Sequence, residues 1–477
     1  MLVISMLVSI SIPAFATRTA PKPTAHHHSP SSSGSVIHIN PTTLRKDIIS
    51  ENTDVLKALN AAYQAKAAVN VAHGNLLPSI NVGAAISGIA TGGLSFAASS
   101  VSILLPFLLP SNWYNLDATK SQLSASGYAY YIVELNTYAN ALAAYETVQY
   151  DMALRNIYYE EYQRYLLIQN YVQIAFNIGK DIGANLERAE ASTQLARGTV
   201  DQYDSGIAKE VAILRQLISH NLNSQIVVDS YQPPMSPYES RGLQSTLNAV
   251  LPRSPEEQQV LSLIQASKYA TLSQAFSFLG GASLSINPGS ANAFGTTSLQ
   301  ANGSLGFGYF ANIDAKNLAT DQLYVQQKAV RLQEAATIES SVNSIKADIS
   351  GVAQVTASRD NIEAAFQAFL GQYSLGKTDL TTLIDVELQL TTSETELAAL
   401  QYDLDNQRID LERITITNQF GSVPPCRLTG NESTGFLSFV TDLFNPKSNV
   451  ITIDQLCGVS PSTSAEAAPS QATLLPE

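Results

Sequence analysis

Between Asp117 and Gly179, apolar and polar residues alternate with the period of a helix, and Tyr131, Tyr138, Tyr145, Met152, Tyr159 and Leu166 recur every seven residues. That spacing keeps one seam turned toward a partner helix in a left-handed coiled coil. Tyrosine knobs with a polar tip suit packing that is part buried and part wet. The plainer alternative is an ordinary amphipathic core helix. Proline is absent from Ser111 to Gln232 and from Gly289 to Val423, whereas ordinary usage of ~5% would place about six in each window. Uninterrupted helices require that absence. The 62 residues from Asp117 to Gly179 would make a rod of roughly 93 Å at ~1.5 Å per residue. After Gly179 and Lys180 the apolar pattern resumes from Asn185 to Leu217, so the glycine reads as the turn of a helical hairpin.

A different pattern precedes each rod. No Asp, Glu, Lys or Arg occurs between Lys66 and Asp117, or between Lys268 and Asp314. Both windows alternate with a period of two, which predicts strands. Ile80, Val82, Ala84 and Ile86 form one apolar row; Phe276, Phe278, Gly280, Ala282, Leu284 and Ile286 form another; Leu299, Ala301, Leu305, Phe307 and Tyr309 form a third. A fourth strand is predicted across Leu94–Phe107, with a change of phase near Ser99 and Ser100 such as a bulge produces. Strands of about ten residues, small and polar on one face and apolar on the other, without charge, carry the signature of a transmembrane β-barrel. Phe107, Trp113, Tyr114, Phe307, Tyr309 and Phe310 at the strand ends fit an interfacial aromatic girdle. The alternative is one face of a soluble β-sandwich. Four strands cannot close a barrel, and an open edge in lipid leaves backbone groups unsatisfied at several kcal/mol each. The barrel must therefore be shared between chains; a trimer supplies twelve strands and more readily leaves a lumen than the eight of a dimer.

The two rods are copies of one unit. Asn115-Leu116-Asp117-Ala118 recurs as Asn312-Ile313-Asp314-Ala315, an offset of 197, and Phe176-Asn177-Ile178-Gly179-Lys180 recurs as Tyr373-Ser374-Leu375-Gly376-Lys377 at the same offset. Leu186 with Leu383 and Glu190 with Glu387 keep it as well. Gly376 is thus the second hairpin turn. Repeats of this kind have to be recognised before a fold is assigned.

Composition narrows the function. Of 477 residues only 14% are Asp, Glu, Lys or Arg, well below the usual quarter of a soluble chain. The net charge of -13 and the lack of a Lys/Arg cluster argue against a nucleic-acid partner. Residues 1–16 are an apolar run ending in Ala14-Phe15-Ala16, read as a signal peptide or, alternatively, as a buried N-terminal strand. Residues 17–40, rich in Pro, Ser and His, read as a disordered arm, in which His26–His28 could at most hold a metal loosely. Cys426 and Cys457 would form one disulfide in an oxidising compartment or remain two thiols. His73 and His220 are isolated, and no His-Glu-x-x-His or phosphate loop occurs, so neither enzyme chemistry nor a metal or other cofactor is expected.

With two hairpins, two pairs of long helices and a duplicated glycine turn, the chain resembles the TolC family of outer-membrane efflux proteins. The resemblance covers about residues 40 to 420 and is carried by residues 52–84, by "RAEASTQLA" after the first turn, and by "SLGKTDLTTLIDVELQLTTSETELA" around the second. It implies a mainly α protein with transmembrane β structure: a duplicated β-hairpin plus long coiled-coil helices, assembled as a homotrimer into a 12-stranded barrel continued by a periplasmic α-helical barrel. On that pattern the first repeat is 41–224, with its β-hairpin at about 79–110, and the second is 259–420, with its β-hairpin at about 276–310. An equatorial linker spans 225–258, and a tail with both cysteines spans 421–477. The implied role is a channel-tunnel in the outer membrane of a Gram-negative bacterium, extending into the periplasm. It would be the exit duct of a tripartite efflux pump or type I secretion system, partnered by a periplasmic adaptor, an inner-membrane transporter and outer-membrane lipid. Acidic residues after the family's second turn narrow the periplasmic entrance. Asp385 matches such a ring, whereas Thr382 stands where some members have a second carboxylate. Gly179, Lys180, Gly376 and Lys377 are the candidate adaptor contacts. The competing classes are a trimeric autotransporter-like adhesin, whose four strands would sit together at the C-terminus, and a helical pore-forming toxin with an apolar β-tongue.

Overall fold

A computed structural model describes residues 36–83, 100–104, 106–218, 225–279, 281–287, 296–302 and 308–421. The signal segment, the arm as far as residue 35, and Cys426 and Cys457 lie outside the described residues.

Each half of the chain builds two shorter helices leading to a β-hairpin and two longer helices after it. In the first half these are α1 (Pro41–Glu51), α2 (Thr53–Gly74), β2 (Ser79–Gly83), β3 (Ser100–Leu104), α3 (Pro110–Asn177) and α4 (Gly183–Leu217). The second half has α5 (Leu243–Val250), α6 (Pro255–Ala275), β5 (Gly281–Asn287), β6 (Thr296–Asn302), α7 (Gly308–Ser374) and α8 (Leu380–Thr415). At 68 and 67 residues, α3 and α7 are each about 100 Å long at ~1.5 Å per residue. Pro110 opens α3 at a position where its missing N–H is one the helix could not use. Asn40, Asn52, Ser254 and Asp379 cap α1, α2, α6 and α8 by accepting hydrogen bonds from first-turn amides. Among the described residues no helix is long and apolar enough to cross a membrane.

The four strands of the two hairpins form one antiparallel sheet in the order β2-β3-β5-β6. Ser79 pairs with Leu104, Val101 with Ile286, and Gly281 with Asn302. The described parts of the strands are five and seven residues long, and their ends differ from the periodic reading. Phe276 ends α6, residues 277–279 make a 3-10 turn, and Tyr309 and Phe310 belong to α7. A short uncharged aromatic run fits a strand end and a helix start equally well, and tertiary packing decides. The Trp113 indole N–H donates to the Phe107 carbonyl at 2.8 Å, and Tyr114 stacks on Phe276 with ring centroids 5.4 Å apart. The aromatic residues thus gather where helices meet sheet.

A second correction concerns the arm assigned to residues 17–40. Val36–Ile39 form β1, which pairs in parallel with β4 (Gln225–Val228). The β-branched residues of VIHI and QIVV make that small sheet favourable, so the segment read as a Pro/Ser-rich linker carries β4 and α5.

α3 is the hub: it packs against α2, α4, α6 and α8, whereas α7 packs chiefly on α6 and α8. Tyr131, Tyr138 and Tyr145 of the seven-residue seam are at most 2% exposed. The hydroxyl of Tyr138 donates to the carbonyl of Pro41, and that of Tyr145 bonds the carbonyls of Ile39 and Asp229. Tyr138 and Tyr145 are therefore buried with their polar tips satisfied. Beyond Tyr145 the seam fails: Met152 and Tyr159 are 42% and 45% exposed. Burial passes to Leu154, Glu161, Tyr165, Ile168 and Val172. A straight helix drifts about 20° per heptad from a seven-residue repeat, and further along α3 packs into a second core with residues of α4, α7 and α8.

Candidate functional site: the hairpin turns

The chain reverses twice in the same way. Asn177 ends α3; the Gly179 N–H then bonds the Phe176 carbonyl at 2.9 Å, and the Lys180 N–H bonds the Ala175 carbonyl at 2.8 Å. At the other turn Gly376 bonds Tyr373 and Lys377 bonds Gln372, each at 2.9 Å. This is the Schellman motif, which closes orphan carbonyls around one left-handed residue. Gly179 and Gly376 both have φ +72°, a conformation in which any Cβ is strained. The lysines contribute backbone amides to the turns, and their side chains are exposed.

The two turns are tied to each other. The Tyr373 hydroxyl donates to Asp181 Oδ2 at 2.5 Å, while Asp181 Oδ1 accepts from the Ile182 amide at 2.8 Å and the Asn185 side chain at 2.6 Å. Burial works to raise the Asp181 carboxyl, but the bonds from Tyr373, Ile182 and Asn185 outweigh it and hold the group below the usual carboxylate range. Burial, and then Asp181, push the Tyr373 hydroxyl up, which keeps it a donor. Arg188 Nη1 on α4 donates to Thr381 Oγ1 on α8 at 2.9 Å. Beneath these contacts Tyr165, Ile168, Val172, Ala189, Phe366, Leu370 and Leu383 form one core drawn from all four helices. A buried cation completes the junction: Arg164 donates to Glu387 at 3.0 Å, to Thr391 at 3.0 Å and to Glu394 at 2.8 Å.

The residues singled out from the sequence take different parts. Thr382 belongs to the cap of α8: its amide donates to Asp379 Oδ1 at 2.7 Å. That amide and then the Thr382 hydroxyl hold Asp379 below the usual carboxylate range. Asp385, one turn further, is exposed and makes no hydrogen bond or ion pair among the described residues. It shares the outward face of α8 with Thr381, Leu388 and Thr392. The ties through Asp181, Arg188 and Tyr373 escaped the sequence reading, although one signal was present. The repeat partner of Tyr373 is Phe176 and that of Asp181 is Thr378, so only one combination of turns carries both a hydroxyl and a carboxylate. Ile178, Ile182 and Leu375 are 61%, 64% and 68% exposed, giving the turns an apolar tip. Among the described residues no group of three or more His, Cys, Asp or Glu side chains could hold a metal ion.

No protein-family model matches the chain, and no curated protein matches it by sequence. Solved structures do match. The outer-membrane channel OprN superposes with a TM-score of 0.67 at 15% identity, over 80% of this chain and 90% of that one. The CmeC outer membrane channel of Campylobacter jejuni gives 0.62 at 16% identity, over 85% and 93%. The outer membrane protein VceC of Vibrio cholerae gives 0.68 at 13% identity, over 79% and 95%. At such identities the likeness is one of fold.

Proposed function

Taking as premise that the chain has the fold of the TolC-family outer-membrane channels, we propose that three copies form an outer-membrane channel-tunnel that conducts substrates out of the periplasm. The observation that carries this reading is the open sheet at one end of two ~100 Å rods. Among the described residues β2 and β6 are edge strands without a second partner, and such edges in lipid have to pair with another chain. Three copies would bring twelve strands into one barrel and continue it as a helical duct toward the cell interior. The chain acts as a conduit without chemistry of its own, in the outer membrane of a Gram-negative bacterium.

The exposed stripe on α7 supports the same assembly. Leu318, Val325 and Leu332 are spaced by seven and are 68%, 69% and 62% exposed, which suits the seam of a helix in a neighbouring copy. At the opposite end the apolar turns with Lys180 and Lys377 form the docking surface for a periplasmic adaptor, which links the duct to an inner-membrane transporter in an efflux pump or type I secretion system. Asp385 lines the entrance. Three such carboxylates around an axis would repel one another and attract cations. Single-channel recording in planar bilayers tests this: the wild type should conduct with weak cation preference and be blocked by multivalent cations, and Asp385→Asn should lose both properties. Conduction with unchanged selectivity in Asp385→Asn would remove Asp385 from the entrance; absence of conduction would remove the channel.

A further inference from the structure

Away from the turns, α3, α8 and the segment after β4 line a cleft of about 170 Å³ that opens to solvent. Its walls include Glu146, Asp405, Tyr150, Tyr402, Tyr231 and Ala153. Glu146 is 4% exposed. Its Oε2 accepts a bond from Gln149 Nε2 at 3.2 Å, while Oε1 has no hydrogen-bond partner. Gln149 cannot turn to supply more, because its amide is held by the backbone N–H and carbonyl of Tyr231 at 2.8 and 3.2 Å. On the facing helix the cation nearest Asp405 is Arg408, at 3.8 Å, and that guanidinium also serves Glu239 at 3.2 Å. Glu146 has no cationic partner among the described residues. A buried carboxylate oxygen costs about 1–3 kcal/mol or more unless something bonds it, and the cleft beside Glu146 is where a partner can reach it.

The chemistry of the wall selects the occupant. Water would fill the space with about six molecules at ~30 Å³ each but brings no positive charge to Glu146, whereas Asp405 already has Arg408. A dehydrated divalent metal needs six or more oxygen ligands held close, and the wall offers two carboxylates among aromatic rings. Tyr150 and Tyr402, stacked with centroids 4.6 Å apart, line the cleft with aromatic carbon against which methylene groups can pack. We propose that this cleft binds a small organic cation of the alkylammonium class, its nitrogen balanced by Glu146 and Asp405 and its carbon chain lying against Tyr150, Tyr402 and Ala153. The site stands whether or not the chain conducts.

Binding is coupled to a proton. Burial, and then Asp405, push Glu146 up to about 8. Tyr145 on α3 and Tyr231 after β4 also face it, and burial raises both hydroxyls so that they stay neutral. Across on α8 stand Asp405 and its partner Arg408. A cation entering near neutral pH therefore expels the Glu146 proton, and affinity should rise roughly twentyfold between about pH 6.5 and pH 8.5 by linkage.

The test is equilibrium dialysis of the full-length protein in mild detergent against labelled 1,4-diaminobutane, with calorimetry in two buffers of different protonation enthalpy. We expect saturable uptake of one molecule per chain, proton release on binding, and tightening with pH. Glu146→Gln should lose at least a factor of ten in affinity and all of the pH dependence; Asp405→Asn should weaken binding and keep it. Uptake that does not saturate, saturable uptake unchanged in Glu146→Gln, or binding by the wild type without proton release would each overturn the assignment. The last readout needs no variant, and none of these outcomes depends on conductance.

Discussion

α3 and α7 hold the same place in the two repeats and differ in length by a single residue, yet they live in different surroundings. Leu135 of α3 is 1% exposed; Leu332, its counterpart 197 positions later, is 62% exposed. α3 is enclosed by four helices of its own chain, and the hydroxyls of Tyr138 and Tyr145 find backbone carbonyls. α7 keeps an apolar row of Leu318, Val325 and Leu332 turned outward. Duplication thus supplied two equal rods, of which one is satisfied within the chain and the other by whatever lies beside it. Interfaces in which one surface meets a different surface of the next copy close into rings where the rotation between copies permits, and the outward row on α7 is the surface the proposed trimer would use.

The largest effect should come from the hub. Tyr145→Ala empties a fully buried site and leaves the carbonyls of Ile39 and Asp229 without their hydroxyl donor. A loss of about 3–5 kcal/mol, as for other buried aromatics, should appear in denaturant unfolding followed by circular dichroism. The paired leucines sharpen the contrast. In the separated chain Leu135→Ala should cost about 2–5 kcal/mol, whereas Leu332→Ala should stay within about 0.5 kcal/mol, like other surface changes. Leu332→Asp should keep the helical signal and lose the oligomer in sizing chromatography. Equal costs at the two positions would erase the distinction between hub and outward rod.

These contrasts were only partly legible in the sequence. Proline-free windows announced both rods, and the seam of Tyr131, Tyr138 and Tyr145 does enter the core. Its continuation through Met152 and Tyr159 does not, because a heptad count fixes spacing and is silent about which neighbour a helix has at each level. Tyr309 and Phe310 read as a strand end and lie on α7, since a short aromatic run has too few positions to reveal its period. The tie between Tyr373 and Asp181 joins residues 192 apart, and only the difference between Tyr373 and Phe176 in the repeat hinted at it. Glu146 was not singled out in the sequence; its burial depends on the segment after β4, whose path no local pattern dictates.

Smaller effects separate the junction from the hub. Glu161 is pushed up to about 7 by burial first and Glu387 second, so the folded chain holds that proton where the unfolded chain, near 4.5, has released it. Stability contributed by the neutral form is therefore present below about pH 4.5 and falls as pH rises toward about 7. Glu161→Gln should flatten that fall in thermal melts across the window; an unchanged slope would mean that Glu161 does not titrate there. The most local change is at the tie: Tyr373→Phe removes one hydrogen bond to a carboxylate, about 1.5–3 kcal/mol. It should leave the melt of the hub unchanged while loosening the turns, seen as faster amide exchange at Asp181 and Ile182 than in the wild type.

The most direct measurement of the shared-barrel assembly is the mass of the folded protein extracted from isolated outer membranes in mild detergent. Three chains per particle in that fraction is the predicted result. A monomer recovered from the soluble fraction would contradict it, because β2, β6 and the α7 stripe would then need no neighbour.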